Sequence, residues 1–292
     1  MASLAPTRQA TDPRGTMHLR RRISLALAYI VLVIIAFTSL YPLALMIINS
    51  FKSDNNVLLD PAGLPQPWTL SSYMQLVNFG QLLNFANSIF ISVVTTVIAV
   101  FVAGIAGYAF TKLRFPGRNV IFFILLATMM VPGEITIPPL YLMFAQINWI
   151  DTYQVQIIPF IAPVFGLFMI RQYMISIPDS LLEAARLDGA NEWQIFWRIM
   201  VPVSAPILSA FAVLQFLGTW NSYLWPQIMA NNAAVAPLAV TLPTLTDPVM
   251  GLVPIYGTIM AGSVLATVPL ILIFLRFQDK FITGVTFGAA KE

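Results

Sequence analysis

Six long apolar stretches, separated by short polar segments, constrain this chain more than any other feature. They cover Ile23–Ile48, Asn84–Phe110, Asn119–Phe144, Thr152–Tyr173, Pro206–Ile228 and Ile255–Leu275. Each reaches the roughly 20 residues that a helix needs to cross the hydrocarbon core of a bilayer. Only 9% of the side chains are charged, against about a quarter in a soluble domain. The sequence therefore predicts an all-α membrane protein with six transmembrane helices.

The third stretch is interrupted by polar and helix-breaking residues, namely Pro132, Glu134, Pro138 and Pro139. If the helix begins near Asn119, Glu134 lies about 22 Å along it, which is deep in the bilayer. Irregular backbone at that depth is tolerated where it lines a cavity, so Pro132 and Gly133 predict a kink or an unwound turn. Glu134 is either a functional carboxylate or a structural one near the outer interface.

The positive charges are distributed unevenly over the polar segments. Every lysine and arginine except Lys52 precedes the first stretch, follows the last, or lies around the loops after the second and fourth. Because basic loops stay in the cytoplasm, this pattern places both termini inside the cell. The first apolar run, at about 25 residues, exceeds the 7–15 residues of a signal-peptide core, so we interpret it as a retained anchor.

The chain then divides into a tail, an anchor and a membrane domain. Residues 1–22 form a polar N-terminal tail, 23–48 the first transmembrane helix, 49–83 an external segment, 84–276 a five-helix membrane domain and 277–292 a C-terminal tail. The chain has no cysteine, and its single histidine lies in the N-terminal tail. These facts exclude disulfides and thiolate sites and argue against a histidine metal centre, so no metal and no cofactor are predicted.

A charged, helix-forming segment, residues 176–202, lies between the fourth and fifth apolar stretches. Ser176 followed by Asp179 fits a helix-start pattern, and Gly189 fits a helix stop. Asn191 with Gln194 fits a capping box for a second helix. In that helix an apolar stripe is formed by Trp193, Phe196, Trp197 and Met200. The pattern predicts a helix–turn–helix at the membrane surface, which either docks a partner or packs on its own bundle.

The same segment carries a recognisable signature. Glu183, Ala184 and Ala185 are followed after three residues by Gly189, and then by Ile199 and Pro202. This resembles the EAA motif of ATP-binding cassette importer permeases, with Val201 where leucine is usual. Four further phrases resemble the carbohydrate-uptake branch of that family, the maltose-type second permease and its glycerol-phosphate relative: NSIFIS at 87–92, GYAFTKLRFPGR at 107–118, PGEITIPPLY at 132–141 and WNSYLWP at 220–226.

The resemblance implies a type I ABC importer permease fold and a division of labour between subunits. Residues 84–276 would be the permease domain, and the helix around Glu183–Gly189 would be the coupling helix, seated in a cleft of a cytoplasmic ATPase. Glu183 would pair with a basic group there, and Gly189 would make the turn. The implied partners are two ATP-binding subunits, a second permease in a heterodimer, an extracytoplasmic solute-binding protein and membrane lipid, but no nucleic acid.

The chain has no GxxxxGK[ST] phosphate-binding loop, so it is not expected to hydrolyse ATP itself. The resemblance places it as a multi-pass protein in a bacterial or archaeal inner membrane. Candidates for the substrate pathway are Glu134, Asn87, Trp220, Asn221 and Tyr223, since aromatic faces stack on sugar rings and amides bond to hydroxyl groups. The alternative for the aromatic residues is an interfacial belt, and for Asn87 it is helix–helix adhesion.

Two other function classes are weaker. An ion-coupled secondary transporter often shows inverted repeats and several buried charges, whereas this chain has one buried acid and no clear repeat. A membrane-embedded enzyme would need a histidine, cysteine or carboxylate constellation within the membrane, which the sequence does not offer. No arginine lies well inside a predicted span, so a neutral sugar is favoured over a strongly anionic substrate.

Overall fold

The computed structural model describes residues 13–245 and 255–286, and all regular structure in those ranges is helical. The helices are α1 (Pro13–Asn49), α2 (Asp54–Leu59), α3 (Ser71–Asn78), α4 (Gln81–Lys112), α5 (Arg118–Thr128), α6 (Ile137–Gln146), α7 (Tyr153–Ile157), α8 (Val164–Ile175), α9 (Asp179–Leu187), α10 (Glu192–Ile195), α11 (Val201–Val203), α12 (Ala205–Trp220), α13 (Leu224–Met229), α14 (Leu238–Thr244) and α15 (Tyr256–Thr286). The fold is therefore all-α, as predicted.

Four helical stretches are long and apolar enough to cross a membrane, and the number rises to six if two bent pairs each count as one span. The four stretches are 24–49, 81–112, 153–175, which comprises α7 and α8, and 256–277. The predicted third span is bent by 90° between α5 and α6, and the fifth is preceded by a 77° bend between residues 192–203 and α12. Pro132 lies at the first bend and Pro202 just before the second, and a proline cannot donate the next helical hydrogen bond.

The predicted end of the fifth span was wrong. We expected a helix over Pro206–Ile228, but α12 ends at Trp220 and α13 begins only at Leu224. The Asn221 side chain donates to the Leu217 carbonyl at 2.9 Å and thus satisfies an acceptor in the last turn of the helix. Pro226 has no N–H for the carbonyl four residues before it, so the helix cannot run unbroken through this region.

Helix α4 is the centre of the molecule and packs against α8 and α12 along much of its length. Glycines allow these three helices to approach closely. A Cβ on Gly107 of α4 would lie 2.7 Å from the Ile170 side chain of α8, and one on Gly166 of α8 would lie 2.3 Å from the Phe211 ring of α12. Small residues at such crossings are typical of membrane helices, where close backbone packing replaces the hydrophobic effect.

The two ends of α4 contact different parts of the chain. At the end marked by Lys112, which we call the hairpin end, α4 and α8 pack against segment 176–202 in a core that includes Tyr108, Ile170, Leu182 and Phe196. At the opposite end, amide groups of Asn84 and Asn87 on α4 and of Gln156 donate to the carbonyl groups of residues 233–236 at 2.7 to 3.1 Å. We call residues 233–236 the amide-held segment.

Candidate functional site

Segment 176–202, the predicted coupling hairpin, begins with α9, an amphipathic helix with one inward and one outward face. Leu182 is buried in the core at the hairpin end, and Ala185 packs partly against the same core. The outward face presents Ser180, Glu183, Ala184 and Leu187, all exposed. Leu187 is 89% exposed, an unusual position for a leucine, and Glu183 forms no ion pair within the described residues. The outward face of α9 is therefore free of its own bundle.

Two of the three predicted capping features of the hairpin are confirmed. Gly189 ends α9 with a φ of +83°, a left-handed conformation that glycine adopts without steric cost. Asn191 and Gln194 form a reciprocal capping box, with both hydrogen bonds at 2.9 Å. The predicted Ser176 cap was wrong: Ser176 Oγ donates 2.7 Å back to the Tyr173 carbonyl, and Pro178 precedes the helix without a side-chain cap.

The aromatic stripe of the second hairpin helix divides between core and surface. Phe196 and Met200 are buried, whereas Trp193 and Trp197 are 56% and 43% exposed. Residues Phe196–Met200 form a π-helical turn that ends two residues before Pro202. Because Pro202 has no N–H for the carbonyl four residues earlier, a widened turn at this point is the expected accommodation. Exposed tryptophans such as these two are typical of membrane interfaces.

The hairpin is attached to the end of α4 by charged and hydroxyl groups. Lys112 Nζ donates to the Ile177 carbonyl and to Asp179 Oδ1, each at 2.6 Å. The hydrogen bond and charge of Lys112 hold the pKa of the Asp179 carboxyl below its usual range, so it is ionised at neutral pH. The Tyr108 hydroxyl donates to Glu192 Oε2, and Arg186 Nε donates to Glu192 Oε1 at 2.9 Å. We call these five side chains the α4 clamp.

A cavity of about 390 Å³ lies between α4, α7, α8, α12 and α13. Its walls are formed by Ser88, Ile91, Ser92, Gln156, Phe160, Phe165, Phe211, Leu214, Gln215, Gly218, Thr219, Trp220, Ser222, Trp225, Pro226 and Pro237. None of these residues is charged, while serine, threonine and glutamine side chains supply hydrogen-bonding groups. Aromatic walls with a few convergent polar groups are the usual composition of a small-molecule site.

The structure brings one of the five predicted pathway residues into this cavity. Trp220 lines it, stacks on Phe216 with ring centroids 5.6 Å apart, and donates to the Ala266 carbonyl at 3.2 Å. Asn221 and Tyr223 are exposed beyond the end of α12 and do not belong to the lining.

The other two candidates lie elsewhere. Asn87 is 3% exposed. Its amide nitrogen donates to the amide-held segment, and its amide oxygen accepts from the Tyr153 hydroxyl at 2.8 Å. Its neighbour Ser88, in contrast, lines the cavity. Glu134 lies exposed on the bend between α5 and α6, outside the cavity lining. The bend itself was predicted, but the position of the Glu134 side chain relative to α12 depends on packing between helices and could not be.

Sequence reasoning missed several polar residues of the cavity wall, among them Gln156, Gln215 and Thr219. Gln215 Nε2 lies 3.4 Å from Thr219 Oγ1, and both residues are partly buried. The available signal was glutamine inside an apolar run, since such side chains in membrane spans face the bundle interior. Within the described ranges, no three histidine, cysteine or acidic residues lie close enough to hold a metal ion.

Comparison with known proteins agrees with this arrangement. The model of the family "binding-protein-dependent transport system inner membrane component" matches residues 99–286. The arabinooligosaccharides transport system permease AraQ of Bacillus subtilis is 35% identical, with 92% of this chain and 96% of that protein covered. The lactose transport system permease LacG of Rhizobium radiobacter is 32% identical, with 91% and 97% covered.

A solved structure gives the same result at the level of the fold. A bacterial ABC transporter involved in import of the acidic polysaccharide alginate contains a chain with a TM-score of 0.78 to this one. The two are 27% identical, with 89% of this chain and 97% of that chain covered. The chain is therefore a member of the binding-protein-dependent transport system inner membrane components, the membrane-embedded permease subunits of ABC importers.

Proposed function

We propose that this chain is the permease subunit through which a neutral carbohydrate crosses the membrane, driven by ATP hydrolysis in separate subunits that dock on α9. The observation that carries the proposal is the outward face of α9. Its acid and its leucine are exposed, although both ends of the helix are fixed to the bundle. A helix that is rigidly held and has an unpartnered outward face is suited to receive another protein.

The chemistry of that face supports an ATPase cleft as the partner. Glu183 offers a carboxylate to a basic group, and Ala184 allows close approach of another backbone. Ala185 and Ile199 are partly buried and support the hairpin from within, while Gly189 and Pro202 set its turns. In this arrangement Glu183, Ala184 and Leu187 make the contact, and the remaining residues of the signature hold the shape.

We further propose that the hairpin end faces the cytoplasm, with both termini on that side. Six basic residues lie on this end of the described chain, namely Lys112, Arg114, Arg118, Arg171, Arg186 and Arg198. At the opposite end the buried Lys52 side chain donates to the Asp60 carbonyl at 2.6 Å. This asymmetry supports the assignment through the positive-inside rule. Residues 84–276 then form the permease domain, with 23–48 as an added anchor.

The cavity supports a neutral, hydroxyl-rich solute. An uncharged wall leaves no counter-ion for an anionic group, and burying an unpaired charge is costly. Trp220 and Phe160 supply aromatic faces, and Gln215, Thr219 and Gln156 supply hydrogen-bonding groups. Relatives named for arabinooligosaccharides and lactose fit this chemistry. Glu134, Asn221 and Tyr223, which lie exposed near the bundle, are proposed to line the path only where a second permease encloses them.

Replacing Gln215 by leucine is expected to raise the solute concentration for half-maximal uptake about tenfold, since an unmade hydrogen bond to a buried polar group costs about 1–3 kcal/mol. Leucine has approximately the same volume as glutamine, so we expect the fold to be retained. Uptake of labelled solute into vesicles holding the complete transporter is the measurement. Gln227→Leu is the matched control, because Gln227 is exposed and lies outside the cavity lining. Equal half-saturation in both variants would contradict the cavity assignment.

The proposed partners are two ATP-binding subunits, a second permease and an external solute-binding protein. The chain, expressed with its neighbouring genes and purified in mild detergent, is expected to retain an ATPase subunit and a second permease. Reconstituted vesicles should then import one of a panel of neutral mono- and oligosaccharides only when ATP and the binding protein are present. Uptake driven by an ion gradient without ATP would instead identify a secondary transporter and refute the proposal.

A further inference from the structure

The last two turns of α4 hold both helices of the coupling hairpin. Tyr108 and Lys112 are four residues apart and therefore project from the same face of α4. Lys112 binds the start of α9 through the Ile177 carbonyl and the Asp179 carboxylate, each at 2.6 Å. Tyr108 binds the first residue of α10, because its hydroxyl donates to Glu192.

Glu192 extends this attachment to the other end of α9. Its second carboxylate oxygen accepts from Arg186 Nε at 2.9 Å, and Arg186 is in the last turn of α9. The coupling helix is consequently fixed at both ends to two residues of a single transmembrane helix. The outward face between these points, with Glu183 and Ala184, takes no part in the attachment.

The attachment is anchored in the core. The Lys112 side chain is 4% exposed, and the Tyr108 ring packs against buried Phe196 with centroids 5.7 Å apart. Exposed ion pairs contribute little because their side chains are mobile and solvated. Here the two donors on α4 are immobilised by packing, whereas the acceptor side chains reach solvent, with Asp179 76% and Glu192 47% exposed. The attachment therefore acts by holding the donors in place, not by burying a charge pair. A buried donor of this kind fixes geometry more firmly than a surface pair does.

We propose that Tyr108 and Lys112 are positioning residues for energy coupling, which fix α9 to α4 so that a displacement of the docked ATPase moves the transmembrane helix rather than bending the hairpin. This inference rests on the proposed function, because it requires that the ATPase docks on α9. It assigns a role to the side of the hairpin that faces α4. No residue of the EAA signature takes part in the hydrogen bonds that Tyr108 and Lys112 make there.

The test uses the complete transporter in vesicles and measures solute imported per ATP hydrolysed. Tyr108→Phe removes only the hydroxyl, and Lys112→Met removes only the charge and its donors. Each variant is expected to lower the ratio about fivefold while ATP hydrolysis continues, and the double variant is expected to lower it further. Should Lys112→Met fail to accumulate in the membrane, Tyr108→Phe decides the matter, because it keeps the ring and its packing.

Two further variants separate positioning from general stability. Thr111→Val alters the same turn of α4, but its hydroxyl donates within the helix to the Gly107 carbonyl, so the ratio should stay unchanged. Lys112→Arg keeps a charged donor and should retain most of the coupling. If Tyr108→Phe lowered the melting temperature but left the transport-to-ATP ratio unchanged, this inference would be overturned and the proposed function would stand. Uptake in the unaltered transporter that never depends on ATP would overturn the proposed function as well.

Discussion

Replacing Glu183 by lysine is expected to reduce ATP-driven uptake about a hundredfold while the protein still inserts in the membrane. Glu183 is exposed on the free face of α9, so the substitution leaves the fold intact. A lysine would bring like charge against a basic docking cleft, and such a juxtaposition costs several kcal/mol. The measurements are uptake into vesicles and the amount of ATPase subunit that copurifies with the chain.

Two comparisons make the result specific to docking. Glu183→Gln removes the charge without reversing it and should leave intermediate uptake. Asn119→Lys adds a positive charge to an exposed residue at the hairpin end but outside the hairpin, and it should have little effect. Normal uptake by the Glu183→Lys variant would contradict the docking role of α9.

Replacing Gly166 by valine is expected to destabilise the bundle by about 3 kcal/mol or more, since overpacking a tight core forces backbone shifts. A Cβ at this position would lie 2.3 Å from the Phe211 ring, with two further ring carbons within 2.8 Å. Helices α8 and α12 would have to separate, or the ring would have to turn into the cavity that it lines. Thermal unfolding in detergent, followed by tryptophan fluorescence, should show a markedly lower midpoint.

Gly218→Val is the matched control for this effect. Gly218 also lies in a transmembrane helix, but a Cβ there would meet no atom within 4 Å. The same substitution should therefore leave the unfolding midpoint nearly unchanged. Equal loss of stability in both variants would mean that helix propensity, and not the contact between α8 and α12, decides the outcome.

Local rules predicted most of the helix starts and turns of segment 176–202. Gly189 and the Asn191–Gln194 box were predicted because capping depends on a few neighbouring residues and on backbone geometry. The Ser176 cap failed for a tertiary reason: Lys112, which is distant in sequence, takes the Asp179 carboxylate, and Pro178 already restricts the helix start. The attachment of the α4 clamp to α4 could not be predicted, since the hydrogen bonds of Tyr108 and Lys112 join groups 65 to 84 residues apart.

The positions of the membrane spans in the sequence were predicted, but the breaks and ends of their helices were predicted only in part. Hydropathy detects the length of an apolar run, and prolines indicated where the third run would break. Hydropathy does not show where a helix ends inside an apolar run, so the end of α12 at Trp220 was missed. The pathway residues were the hardest to predict. The side of a span that faces the cavity is determined by packing between helices, which local sequence does not show. Trp220 lines the cavity, and so does Gln215, which was overlooked.

The hydrogen bonds at the two ends of α4 have a mechanical consequence for transport. A helix of 32 residues is about 48 Å long at 1.5 Å per residue. If such a rod pivots near its middle, its two ends swing in opposite directions, and a tilt of about 10° displaces each end by about 4 Å. One end of α4 is hydrogen-bonded to the hairpin and the other end to residues 233–236. An inward displacement of the hairpin would therefore be accompanied by an outward displacement of residues 233–236 on the other side of the membrane.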